Sequence, residues 1–128
     1  MRDTEPSLIR RWAHERQISP PGGVAADRLS LTIDRVRVHL VALRADETLV
    51  EARVADLPRQ PTDRNRMLER VMPMATGRMI ECPASLVVDA EASTLKLQLR
   101  VSSSASTDAL DQAVTSVVNE VELWRGLL

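Results

Sequence analysis

Between Leu29 and Val54 the sequence alternates apolar and polar residues in three successive runs. Leu29, Leu31 and Ile33 form the first. Val36, Val38, Leu40 and Ala42 form the second, with Arg35, Arg37 and His39 between them. Val50, Ala52 and Val54 form the third, interleaved with Glu51 and Arg53. A period of two puts one apolar row on one side of a strand. Strands apolar on a single face pair antiparallel and must lie against another layer. The short "RADE" segment, Arg44–Glu47, predicts a hairpin between the second and third runs. This meander cannot be stable unless the rest of the chain covers it.

The rest of the chain offers that cover. Leu110, Ala113, Val114, Val117, Val118, Val121 and Trp124 recur at helical spacing and predict a long helix with a broad apolar face. Thr107 is its expected cap, with Asp108 and Asp111 in the first turn. Leu86 and Val88 begin a fourth strand. Leu95, Leu97, Leu99 and Val101 alternate with Lys96, Gln98 and Arg100 as a fifth. Leu8, Ile9, Trp12 and Ala13 predict a first helix ending near Gln17, capped by Asp3 or Thr4 with Pro6 in its first turn. "SPPGG", Ser19–Gly23, reads as a loop. Thr62 is the expected cap of a second helix, whose stripe is Met67, Leu68, Val71, Met72 and Ala75. Pro73 is expected to stop or kink it. The predicted fold is α+β, one domain over residues 1–128, an antiparallel sheet with helices in the order α-β-β-β-α-β-β-α.

With 128 residues and no Phe or Tyr, the core must be built from Val, Leu, Ile, Met, Ala and two tryptophans. Four of the five methionines crowd into Asn65–Met79: Met67, Met72, Met74 and Met79. Methionine packs adaptably, so this stretch suits either ordinary core or a surface meeting another chain. A net charge of −1 does not mark a polyanion binder. No apolar run approaches the length of a membrane span, and the charged N-terminus lacks a secretory h-region. The single cysteine, Cys82, cannot form an internal disulfide, so a reducing cytoplasm is expected.

Chemistry-bearing groups are sparse. His14 and His39 have no companion at metal-ligand spacing. Cys82, in "ECP", has no neighbouring base to activate it. Glu47, Glu51, Asp56, Asp89 and Glu91 fall in loops or on strand exteriors, and no carboxylate pair interrupts an apolar run. The glycines of Ser19–Gly23 lack the pattern of a phosphate loop. Arg10, Arg11 and Arg16 make the first helix basic, and Arg35, Arg37 and Arg53 line the outward sheet face. Without aromatic platforms that face does not suit RNA. No catalytic residue, metal or cofactor is expected.

Element order and several strings together resemble the Tir-chaperone family, the class I chaperones of bacterial type III secretion. The strings are "RLSLTIDRVRVHL" (28–40), "DETLVEARVADLP" (46–58), "PTDRNRMLERVM" (61–72) and "SLVVDAEASTLKLQL" (85–99), with Trp124 near the end of the last helix. The resemblance implies a cytoplasmic homodimer of α+β fold that uses no nucleotide. It implies a client, the unfolded N-terminal segment of a secreted effector, held by the first helix and the sheet, with a client strand able to join the sheet edge. Client contacts are then expected at Leu8, Ile9, Trp12, Arg35 and Arg37. The dimer contact is expected on the second helix, at Met67, Leu68, Val71, Met72 and Met74. Trp12 suits a core anchor as well as a client pocket. Two alternatives remain open: a subunit of a heterodimeric chaperone or regulator acting on a gatekeeper protein, and a small-ligand α+β enzyme.

Overall fold

The computed structural model describes residues 7–19, 23–25, 27–44 and 46–128. Its elements are α1 (Leu8–Glu15), β1 (Arg28–Ile33), β2 (Val36–Leu43), β3 (Glu47–Asp56), α2 (Pro61–Arg78), β4 (Ser85–Asp89), β5 (Thr94–Ser102) and α3 (Thr107–Leu127). This is the predicted α+β order. The five strands form one antiparallel sheet in the order β1-β2-β3-β5-β4, leaving β1 and β4 as edges.

The alternation sets the register. Leu29 pairs with Leu40, Leu40 with Val50, and Val50 with Leu99, so one apolar row crosses four strands. The next row runs Leu31, Val38, Ala52, Leu97 and Leu86. α3 lies on this face across β2, β3 and β5, and α1 packs against α3. Every residue of the expected α3 stripe is buried, Trp124 among the deepest. Removing this apolar surface from water is the main drive for closing the two layers.

Several local expectations are corrected. Arg35 lies in the β1–β2 turn rather than on a strand face. Asp34 and Arg35 both take left-handed backbone, with φ of 49° and 69°, as a two-residue turn matched to strand twist requires. α2 starts at Pro61 after Gln60, with no side-chain cap, so Thr62 is inside it. Proline has no N–H to satisfy and its φ is already helical, so starting there is cheap. α2 also runs through Pro73 to Arg78. The carbonyl that Pro73 leaves unbonded belongs to Glu69, which is exposed and open to water. Ser106, not Thr107, caps α3, its hydroxyl accepting from the Ala109 N–H at 3.1 Å. Ser7 caps α1, accepting from the Arg10 N–H at 3.2 Å. The caps expected at Asp3 and Thr4, and Pro6, lie outside the described residues, as do residues 20–22 of the expected loop and residue 45 of the hairpin.

One long-range tie supports the sheet. β3 carries an irregularity between Arg53 and Ala55. A bulge there frees carbonyls from the ladder. The Arg125 guanidinium donates to the carbonyls of Val54 (3.2 Å), Arg53 (3.0 Å) and Arg35 (3.3 Å), pinning the end of α3 to the bulge and the first hairpin.

Candidate functional site

α2 leaves most of its apolar surface unused. Val71 alone is fully buried, at 2% exposure. Met67, Leu68, Met74 and Ala75 are half-buried against the core. Met72 is 66% exposed, Met79 70% and the following Ile80 88%. Val88 on edge strand β4, and Leu123 and Leu127 on α3, are exposed as well. A depression of about 190 Å³ lined by Ala75, Met79, Leu86 and Trp124 joins the end of α2 to β4 and α3. Of the five residues expected at a dimer contact, then, Val71 is core, Met67, Leu68 and Met74 straddle core and surface, and Met72 is open.

The end of α2 is fastened by charge. Arg78 donates from Nε to Glu120 Oε2 at 2.9 Å and from Nη2 to Glu120 Oε1 at 2.7 Å, and from Nη1 to Glu81 at 3.2 Å. The Glu120 hydrogen bonds raise the guanidinium's affinity for its proton further, against a smaller opposing effect of burial. Glu120 is itself buried. Glu120 is a single carboxylate, not a pair, standing within the α3 stripe between Val117 and Trp124, and the sequence reading did not single it out. Cys82 is buried close by, and burial pushes its thiol pKa up, away from a reactive thiolate.

α1 turns Leu8, Ile9 and Trp12 inward, at 3%, 1% and 2% exposure. Trp12 Nε1 donates to Asp111 Oδ1 at 3.2 Å, and Arg16 closes on Asp111 Oδ2 at 2.7 Å. Of the two roles weighed for Trp12, its burial in the free chain is that of a core anchor. The outer flank of α1 is different. Arg10, Arg11 and His14, with Ile18 and Val24 beyond the helix end, line an open groove of about 460 Å³. Arg10 Nε donates to the Val24 carbonyl at 3.2 Å and holds that wall in place. Ile18 and Val24 lie outside any periodic run, so no sequence pattern marks them.

The sheet face away from the helices carries a paired polar network, with Val41, Leu49 and Val87 among its apolar members. His39 Nδ1 and Ser30 Oγ are 2.7 Å apart across β1 and β2. Glu51 accepts from Gln98 at 2.6 Å and lies 3.6 Å from Lys96, which pairs with Asp89 at 2.9 Å. The Lys96 hydrogen bond lowers the Asp89 pKa, with help from the Ala92 N–H, and the same pair raises that of Lys96. Arg35 and Arg37 are exposed at the β1–β2 end of the molecule. Among the described residues no three His, Cys, Asp or Glu side chains converge. No described helix is long and apolar enough to cross a membrane.

The sequence profile of the Tir chaperone protein (CesT) family matches residues 23–125. No curated protein sequence matches the chain significantly. Among solved structures, the HopA1-SchA chaperone-effector complex contains a chain of similar fold, with a TM-score of 0.70 at 12% identity over 93% of this chain and 91% of that one. The heterodimeric ExoU-SpcU complex from the type III secretion system of Pseudomonas aeruginosa matches with a TM-score of 0.67 at 18% identity, over 94% and 97% of the two chains. The Yersinia pestis type III secretion chaperone SycH, in complex with a stable fragment of YscM2, matches with a TM-score of 0.62 at 17% identity, over 91% and 96%. At these identities the structures establish a shared fold.

Proposed function

The chain belongs to the Tir chaperone protein (CesT) family, and from that premise we propose that it is a type III secretion chaperone that holds the N-terminal segment of a secreted effector extended and competent for export. The family match over residues 23–125 carries this reading. Solved relatives described as chaperone-effector complexes support it. The protein acts by binding, without catalysis, in the bacterial cytoplasm.

The geometry supports a division of labour. α2 and the edge beside it form the contact with a second copy of the chain, through Met67, Leu68, Met72 and Met74, extended by Met79 and Ile80, with Val71 anchoring the helix from beneath. The client lies along the outer flank of α1 and past Arg35 and Arg37 at the exposed β1 edge. Leu8, Ile9 and Trp12 act from below, fixing α1 in place. An extended client gains main-chain hydrogen bonds by pairing with the open side of β1.

Co-expression with the effector that co-purifies from the native cytoplasm tests this. The expected product is a complex of two chaperone copies per client, in which the client segment is protected from exchange along a contiguous stretch yet shows no cooperative unfolding of its own. Recovery of a heterodimer with a second small chaperone-like chain instead of a homodimer would select the escort alternative.

A further inference from the structure

The groove beside α1 has a chemistry that narrows what can occupy it. Its floor is aliphatic, from Ile18 and Val24, and its rim is basic, from Arg10, Arg11 and His14. Arg16 is already engaged by Asp111 at 2.7 Å, and the Arg10 Nε by the Val24 carbonyl. Arg11 and His14 have no carboxylate partner among the described residues, and both also line an adjoining depression with Glu15, Ser106 and Thr107. They therefore stand as a ridge between two hollows, where an arriving carboxylate meets positive charge while its neighbour drops onto the aliphatic floor.

We propose that this groove selects extended client segments in which an aliphatic residue is followed two positions later by Asp or Glu. This rests on the chaperone reading above and specifies its client. In an extended chain, residues two apart point to the same side and are spaced by roughly 6.5–7 Å. The aliphatic side chain fills the space between Ile18 and Val24, and the carboxylate takes charge-assisted hydrogen bonds from Arg11 and His14. Such rim pairs act more on partner choice and association rate than on total affinity, and salt weakens them.

The test uses the full chain and a labelled peptide of about a dozen residues carrying two Leu-Ser-Glu repeats, spaced as the extended geometry requires. Its twin has Gln in place of each Glu. Fluorescence anisotropy is read at low and high salt. The acidic peptide is expected to associate faster and to bind at least about threefold more tightly than its twin at low salt, with the difference shrinking at high salt. Arg11→Glu, and separately His14→Glu, should erase the difference without moving the melting temperature. Ile18→Ser should weaken both peptides alike. Equal binding of the two peptides overturns the charge selection. Tighter binding of a labelled single-stranded oligonucleotide than of the acidic peptide overturns it in favour of a nucleic-acid site. Binding of the native effector segment unaffected by Arg11→Glu and Ile18→Ser removes the groove from the client site while leaving the chaperone reading in place. Failure to capture any effector with the wild-type chain would instead strike at that reading.

Discussion

Arg78 at the end of α2 meets Glu120 in the middle of α3 through two parallel hydrogen bonds, 2.9 and 2.7 Å long. This is the fork geometry in which a guanidinium and a carboxylate fit face to face. It matters because, of the 18 residues of α2, only Val71 is fully buried, while Met67, Leu68, Met74 and Ala75 are half-buried against the core. The ion pair therefore fixes the angle at which α2 presents Met72, Met79 and Ile80.

Arg78→Met is expected to strand the buried Glu120 carboxylate beside Ala84, Leu86, Leu97 and Trp124 and lower the melting temperature by roughly 10 °C. Arg78→Met combined with Glu120→Leu should recover most of that loss, because an apolar pair can replace a buried ion pair at little cost. Calorimetry of the two variants checks both statements. A single variant as stable as wild type would show that the pair does not hold the helix.

Trp12→Ala should cost about 3–5 kcal/mol, the range for emptying a buried aromatic site. It also removes the indole donor that, with Arg16, satisfies Asp111. Denaturant titration measures this. A loss below about 1 kcal/mol would contradict the burial of Trp12.

The proposed dimer contact is best probed where the isolated chain is open. Val71→Asp would damage the core as well as any such contact, since Val71 is buried. Ile80→Asp and Met79→Asp act on exposed positions, so each should yield a folded monomer with a far-ultraviolet spectrum like that of wild type. Light scattering at micromolar concentration decides; a double variant that remains a dimer excludes this surface.

Asp89 sets a pH dependence. Its folded pKa is depressed, chiefly by the Lys96 hydrogen bond. Its stabilisation is therefore fully present above the unfolded value of about 3.9 and is lost as pH falls through the lower folded value. Lys96 is raised by the same pair, so its share is present below about 10.4 and fades only as pH rises through the folded value. Wild type should exceed Asp89→Asn in stability at neutral pH, and the gap should close below about pH 4. Denaturant titrations across pH 2.5–7 test this. A gap that stays constant in acid would show that the pair contributes nothing.

Much of the fold was legible because its signals are local. A period of two across Leu29–Val54 and Leu95–Val101 can satisfy only strands with one buried face. The stripe from Leu110 to Trp124 can satisfy only a helix laid on them. Errors at the ends have local causes too. Cap identity turns on single hydrogen bonds, and Ser106 and Thr107 compete for the same role. Pro73 reads as a breaker until the exposure of Glu69 shows that water can take the freed carbonyl.

The sequence alone determined element order, the apolar residues of the inner sheet face and the apolar buried side of α3, since each follows from side-chain direction along a single element. Tertiary structure decided the rest. Leu8, Ile9 and Trp12 have the same spacing whether they face a core or a client, and only the packing of α1 on α3 buries them. The methionines of α2 look alike in sequence, yet Met67 and Met74 lean on the core while Met72 and Met79 stand clear of it. Glu120 is a misplaced charge in the sequence until Arg78, 42 residues earlier, arrives beside it. Which side of a helix is spare, and which charge has a partner, depends on contacts between residues far apart in the chain, and no local period encodes them.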